Sequence, residues 1–230
     1  MARHEVTLAG GEEVAEGTMA FRFEKPAGFA FKAGQSANFA LLEPPAEPNS
    51  ARRTFSLASA PYEKELMVAT RMREGSHFKR ALKALPAGAK VKLVGPAGNM
   101  TLHDDPARAA VFIAGGIGIT PFRSMLLQAD HDRFEHRLYL AYSNRRREHA
   151  AFLDELQALE RRNPRFRLLA PMTDAEGMLD EEKLKRFIGD APAPVYYLAG
   201  PPAMVQAMKA ILARNGVAPD DVRSEEFFGY

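Results

Sequence analysis

The sequence predicts two domains: an antiparallel β-barrel followed by an α/β unit built on a doubly wound parallel sheet. Three observations carry this. From Glu5 to about Leu102, short apolar runs alternate with polar positions and are cut by Gly- and Pro-containing turns, which is a strand period. From Ala109 onward, buried-type strands alternate with helical faces, the signature of successive βαβ units. The change of pattern falls around His103-Asp104-Asp105-Pro106, so the expected domains are residues 1–103 and 104–230.

In the first half, Met19, Phe21 and Phe23 alternate with Ala20, Arg22 and Glu24, as on a half-buried strand. Gly28 and Gly34 punctuate the turns that follow. Ala37 to Leu42 reads as a strand ended by an exposed loop, Glu43-Pro44-Pro45-Ala46-Glu47-Pro48. Further strands are expected at Thr54–Ser59, Leu66–Thr70 and Val91–Val94. One helix interrupts them: Ser76 caps it, and Phe78, Ala81, Leu82 and Leu85 share a face. About six short strands in this arrangement suit a small barrel.

In the second half, Val111 to Ala114 is an apolar strand that stops at Gly115-Gly116-Ile117-Gly118. Thr120 before Pro121 suits an N-cap and a first helical position, with Phe122, Met125, Leu126 and Ala129 on the buried face. Strands follow at Leu138–Tyr142, Phe166–Ala170 and Val195–Ala199. Helices carry Leu153, Leu156 and Leu159; then Leu184, Phe187 and Ile188, between Asp180 and Gly189; then Val205, Met208 and Leu212, ending at Asn215-Gly216. In such sheets ligands sit at the carboxyl ends of the strands. Those ends carry Gly115–Pro121, Ser143–Arg147 and Gly200–Met204, which face one crevice.

Composition narrows the function classes. The absence of cysteine excludes disulfides, a thiol nucleophile and a cysteine-held iron–sulfur cluster within this chain. The six histidines have no metal-ligand spacing. A net charge of +2 gives no electrostatic case for nucleic acid, and three arginines at 145–147 without interleaved aromatics add none. No apolar run reaches the length of a membrane span, and the charged start Ala2-Arg3-His4-Glu5 is unlike a secretory signal. The expected setting is the cytoplasm.

Three stretches have chemical content. Strand, glycine turn and helix start at Val111–Pro121 make a cradle for the pyrophosphate of a dinucleotide, because glycine admits close approach and a helix start offers N–H groups to an anion; a tight connection is the plainer reading. Arg53-Thr54-Phe55-Ser56 joins a phosphate-pairing guanidinium, a ring and a hydroxyl, with Arg53 and Phe55 on one face of a regular strand and Thr54 and Ser56 on the other; the plainer reading is a core Phe beside solvated arginines. Gly75-Ser76-His77-Phe78 is either an anion site at a helix start or a simple cap, with His77 a surface residue.

Arg-x-Phe-Ser on a barrel, then Gly-Gly-Ile-Gly-Ile-Thr-Pro and a late Gly-Pro-Pro-Ala-Met, resembles the ferredoxin–NADP reductase family over nearly the whole chain. The resemblance implies FAD on the barrel and NAD(P)H on the α/β domain. It implies that Arg53 pairs with the flavin nucleotide's phosphates, that Phe55 packs on the isoalloxazine where the family has Tyr, and that Ser56 approaches flavin N5. Thr54 lies between them. Thr70 and Arg71 line the flavin, and Gly75, Ser76, His77 and Phe78 form the phosphate loop and helix start. Gly115, Gly116, Gly118, Thr120 and Pro121 form the nicotinamide dinucleotide's pyrophosphate loop. Gly200, Pro201 and Met204 stand beside the nicotinamide, with Ala199 in the place of the family's Cys.

Ser143 and Arg145 belong to the segment that meets the adenosine ribose. No acidic residue closes that strand, and its arginines suit a 2′-phosphate, so NADPH is favoured over NADH. The tail Ser224–Tyr230 implies an aromatic lid over the flavin, from Phe227, Phe228 or Tyr230. The implied activity is hydride transfer from NAD(P)H to FAD and on to a separate acceptor. That acceptor would be ferredoxin or flavodoxin, for which Arg71-Met72-Arg73 and Lys79-Arg80 offer a basic docking face, or a small molecule such as a quinone, ferric chelate or free flavin. The competing reading is a regulatory subunit that binds flavin and nucleotide without turnover.

Overall fold

Six antiparallel strands come first: β1 (Ala2–Ala15), β2 (Thr18–Glu24), β3 (Ser36–Leu41), β4 (Arg52–Ser56), β5 (Glu65–Arg71) and β6 (Lys90–Ala97). The computed structural model describes residues 2–46 and 51–228. The strands are ordered β4-β3-β6-β1-β2-β5. The edge strands β4 and β5 share no ladder, so the barrel is curled rather than closed. Just past β4 the gap is bridged where Ala58 N–H donates to Met67 O at 2.8 Å. Phe21, Phe23, Phe39, Phe55, Leu66 and Leu93 fill the interior. Helix α1 (His77–Ala84) plugs one end with Phe78 and Leu82, and Ser76 caps it as expected by accepting Lys79 N–H at 3.4 Å.

The second sheet is wholly parallel, in the order β11-β10-β7-β8-β9. Its strands are β7 (Ala110–Gly115), β8 (Leu138–Ser143), β9 (Phe166–Leu169), β10 (Val195–Gly200) and β11 (Val222–Glu226). Helices α2 (Ile119–His131), α3 (Leu153–Arg162), α4 (Thr173–Glu176), α5 (Glu181–Ile188) and α6 (Pro202–Arg214) connect them. Alternate residues of β7 serve opposite faces, as strand pleating requires. Ala110, Phe112 and Ala114 pack with Phe122, Leu126 and Leu156, whereas Val111 and Ile113 pack with Leu184, Val205 and Met208. This is the doubly wound arrangement that the βαβ pattern predicts. Ala60 and Met100, from the barrel side, join the core under α2, so the two sheets are packed on one another.

Two local expectations change. The strand expected to stop before the glycines runs through Gly115, and a 3-10 turn over Gly116–Gly118 leads directly into α2. Thr120 is therefore inside the first helical turn and not its cap: its hydroxyl donates to Ile117 O at 3.1 Å instead of accepting a backbone N–H. Residues 224–226, expected as part of a tail, belong to an edge strand, because five parallel pairs between β11 and β10 satisfy its backbone. Among the described residues no helix is long and apolar enough to cross a membrane, and no group of three or more His, Cys, Asp or Glu could hold a metal.

Candidate functional site

The carboxyl edge of the parallel sheet brings one set of the expected residues together. Gly115 pairs with Ser143 across β7 and β8. Gly116 adopts φ 52°, a left-handed turn that glycine takes without strain. A Cβ on Gly115 would lie 2.5 Å from Met204 Sδ and 2.9 Å from the Pro201 ring, so Gly200, Pro201 and Met204 close directly over the turn. A Cβ on Gly118 would lie 2.1 Å from Ala199 O. That glycine is required by the approach of two backbones, and the turn is pinned against the end of β10. Thr120 and Pro121 are buried in the first turn of α2.

The adenosine-side arginines divide by partner. Arg146 reaches Glu16 at 3.3 Å, and Arg147 reaches Asp154 at 2.5 Å. Arg145 is exposed and has no ion pair among the described residues.

On the barrel, the expected residues converge from three elements. Phe55 on β4 and Phe78 on α1 have ring centroids 6.0 Å apart. Phe55 is 9% exposed and also meets Phe39 at 6.0 Å, so its ring belongs largely to the barrel core. Thr70 is buried on β5, and the next carbonyl, Arg71 O, accepts Lys79 Nζ at 2.8 Å. Burial, then the fields of Arg53 and Arg73, push the Lys79 ammonium down to about 8. None of these three cations has an ion pair among the described residues. Beside them an open cavity of about 710 Å³ is lined by Asn38, Ala51, Arg52, Arg53 and Thr54, with Asn38 Nδ2 donating to Thr54 Oγ1 at 3.2 Å. Cations held together against their own repulsion make an anion site, and the cluster fits a diphosphate. Gly75 is exposed, Ser76 is the cap, and His77 Nδ1 sits 3.0 Å from Arg80 Nη2.

The two sets meet at a seam that the sequence did not reveal. Ser56 at the end of β4 is 7% exposed, and its hydroxyl donates to Glu225 Oε2 on β11 at 3.3 Å. Glu225 lies beside Ala199, the Cys position of the motif. Burial raises the Glu225 pKa, partly offset by the Ser56 hydrogen bond. Only the acidic pair before the tail aromatics hinted at this carboxyl; its placement comes from strand pairing. Phe227 N–H donates to Gly200 O at 2.9 Å, which anchors that ring position beside the turn, whereas Phe228 is 80% exposed. Tyr230 lies outside the described residues.

Residues 112–210 match the family described as the oxidoreductase NAD-binding domain. The chain superposes with a TM-score of 0.84 on a ferredoxin NADP+ reductase from Neisseria gonorrhoeae solved with bound FAD and NADP, at 22% identity, covering 98% of this chain and 99% of that one. The chain has the fold of that reductase and carries the oxidoreductase NAD-binding domain. It is 35% identical over 149 residues to ferredoxin–NADP reductase B of Sorangium cellulosum, covering 63% of this chain and 59% of that protein. It is 29% identical over 210 residues to the reductase component of phenol 2-monooxygenase from Pseudomonas sp. strain CF600, covering 86% and 58%. The chain thus spans little more than half the length of these relatives.

Proposed function

We propose that the chain is a flavoprotein reductase that takes hydride from NAD(P)H and passes electrons to a separate acceptor. The observation that carries this is the seam itself. The barrel strand that carries Arg53 and the carboxyl edge of the NAD-binding sheet touch through Ser56 and Glu225 at 3.3 Å. Two nucleotides held on the two sides would meet there ring to ring.

FAD, when bound, supplies acceptance of a hydride and release of electrons one or two at a time. The chain's own residues supply position and charge. Arg53, Arg73 and Lys79 hold the diphosphate; Ser56 offers its hydroxyl at the ring edge; Phe227 covers the face that nicotinamide enters. Glu225, its pKa raised by burial, accepts the hydrogen bond of that hydroxyl. Gly115–Gly118 and Gly200–Met204 orient the reduced nucleotide. With no cysteine among the 230 residues to hold a cluster, electrons leave to a group outside them. An acidic ferredoxin or flavodoxin fits the basic side chains that the diphosphate leaves on that face, Arg71 and Arg80, and a relative named as an oxygenase reductase component supports a protein acceptor. The direct test is anaerobic mixing of the yellow holoprotein with NADPH and with NADH. Bleaching within seconds is the expected result. A yellow protein that never bleaches would instead be a regulatory binder, the reading that Ala199 in place of Cys favours, and a protein that takes up no flavin would defeat both.

Two further expectations arise here. With Arg146 and Arg147 already paired, Arg145 is the group for a 2′-phosphate. Arg145→Ala should weaken NADPH binding about tenfold, a loss of about 1.4 kcal/mol, and leave NADH binding unchanged; equal loss for both nucleotides removes the assignment. Lys79 sets a pH dependence. In the free protein it gives up its proton above about 8, while a bound diphosphate favours the charged form. Flavin affinity should therefore fall as pH rises above that value, by up to about tenfold per unit. Titrations at several pH values check this, and Lys79→Met should flatten the profile.

A further inference from the structure

Arg123 is a cation sealed between the two sheets. It sits one turn into α2, is 4% exposed, and all five of its N–H groups are engaged. Nε and Nη2 donate to the Glu155 carboxylate at 2.7 and 2.8 Å. Nη1 donates to Ala58 O at 2.7 Å and Glu63 Oε2 at 3.1 Å, and Nη2 to Glu63 Oε1 at 3.4 Å. The Phe152 ring lies 5.1 Å away. Glu63 in turn accepts Ala60 N–H at 2.5 Å. The rest of α2 extends the grip. Ser124 donates to Ser59 O at 2.7 Å and accepts Gly34 N–H at 3.4 Å. Gln128 accepts Tyr62 N–H at 3.2 Å, and His131 stacks on Tyr62 with centroids 4.1 Å apart. Residues 58–63 of the barrel are thus held along two and a half turns of one helix.

Both ends of this connection lead to a binding segment. Residues 58–63 follow directly on the strand with Arg53, Phe55 and Ser56, and α2 follows directly on the Gly116–Gly118 turn. We infer that Arg123 is a positioning residue: touching neither cofactor, it sets how closely the nicotinamide ring approaches the flavin ring. The inference rests on the reductase reading. A buried guanidinium with carboxylates on both sides cannot slide, because any displacement strips a desolvated charge of a partner. Hydride transfer is sensitive to such displacement, since about 1 Å of misplacement costs about a hundredfold in rate.

The test compares wild type, Arg123→Gln and Arg123→Lys as holoproteins. The Gln variant should keep its flavin and bind NAD(P)H within about twofold of wild type, yet its flavin should be reduced at least about tenfold more slowly at saturating nucleotide. The long-wavelength charge-transfer absorbance of stacked rings should be lost with it, and the Lys variant should regain part of both. In the flavin-free proteins, amide exchange at Ala60 and Tyr62 should speed up at least about tenfold in the Gln variant. Faster exchange with unchanged rate and absorbance would overturn the positioning role, and unchanged exchange would overturn the grip. If the Gln variant does not fold, Ser124→Ala removes one bond of the same grip and should show a smaller slowing; no slowing would count against the inference. Wild type that is never reduced would end the reductase reading, while the exchange comparison would still judge the grip on its own.

Discussion

Arg53→Ala protein should emerge colourless from gel filtration, while wild type should keep its flavin. The expectation follows from the cation cluster. Lys79 is held down to about 8 in part by the field of Arg53, so the chain tolerates repulsion that only a bound anion would relieve. Charge-assisted hydrogen bonds to a phosphate contribute about 1.5–3 kcal/mol each. Loss of a bidentate pair of about 3 kcal/mol raises the flavin dissociation constant at least about a hundredfold. The fold should not suffer. Arg53 has no ion pair among the described residues, and its removal eases the charge on Lys79, so the flavin-free melting temperature should stay within about 3 °C. Full retention of colour would remove Arg53 from the phosphate site. A large drop in melting temperature would show that the side chain serves the barrel instead.

The second large effect is on stability. Gly118→Ala places a Cβ 2.1 Å from Ala199 O, 2.4 Å from Ala199 C and 2.8 Å from Gly200 N, all backbone atoms of β10. No rotamer relieves such a contact, so the turn and the strand end must separate. Overpacking of this kind costs about 3 kcal/mol, which for a chain of this size lowers the melting temperature by about 6–12 °C. The separation also carries Ala199 and Glu225 away from Ser56, so nucleotide affinity should fall at least about tenfold in the fraction that folds. Gly10→Ala is the control: a Cβ there meets nothing within 4 Å, and the melting temperature should not move. Equal melting temperatures for the two variants would show that the Gly116–Gly118 turn yields from the end of β10 without cost.

Much of the architecture was legible because it follows from local periodicity. Phe78 and Leu82 fall on one face of a capped octad, Met19, Phe21 and Phe23 alternate, and Val111 to Ala114 is a short apolar run that the glycines after it mark as a strand. Boundaries were less legible. Thr120 before Pro121 satisfies every local rule for an N-cap, yet the 3-10 turn at Gly116–Gly118 starts the helical path earlier and draws Thr120 inside. The resemblance implies that Phe55 packs on the flavin, and the residues alone admit a core Phe; the structure shows its ring in contact with Phe39 and Phe78. Spacing along a strand says which residues share a face, not how much of that face neighbouring elements cover.

The sequence by itself determined the two sheets, their order, and the segments that carry cations and glycines, because alternation, capping and chain connectivity are properties of neighbours along the chain. Only the tertiary structure decided that Ser56 meets Glu225, that Gly118 serves the approach of β10, and that Arg123 joins Ala58, Glu63 and Glu155. Each of those contacts spans 30 or more residues. A hydrogen bond or a steric limit at that separation depends on the relative placement of whole sheets, which summed packing sets and no local pattern encodes.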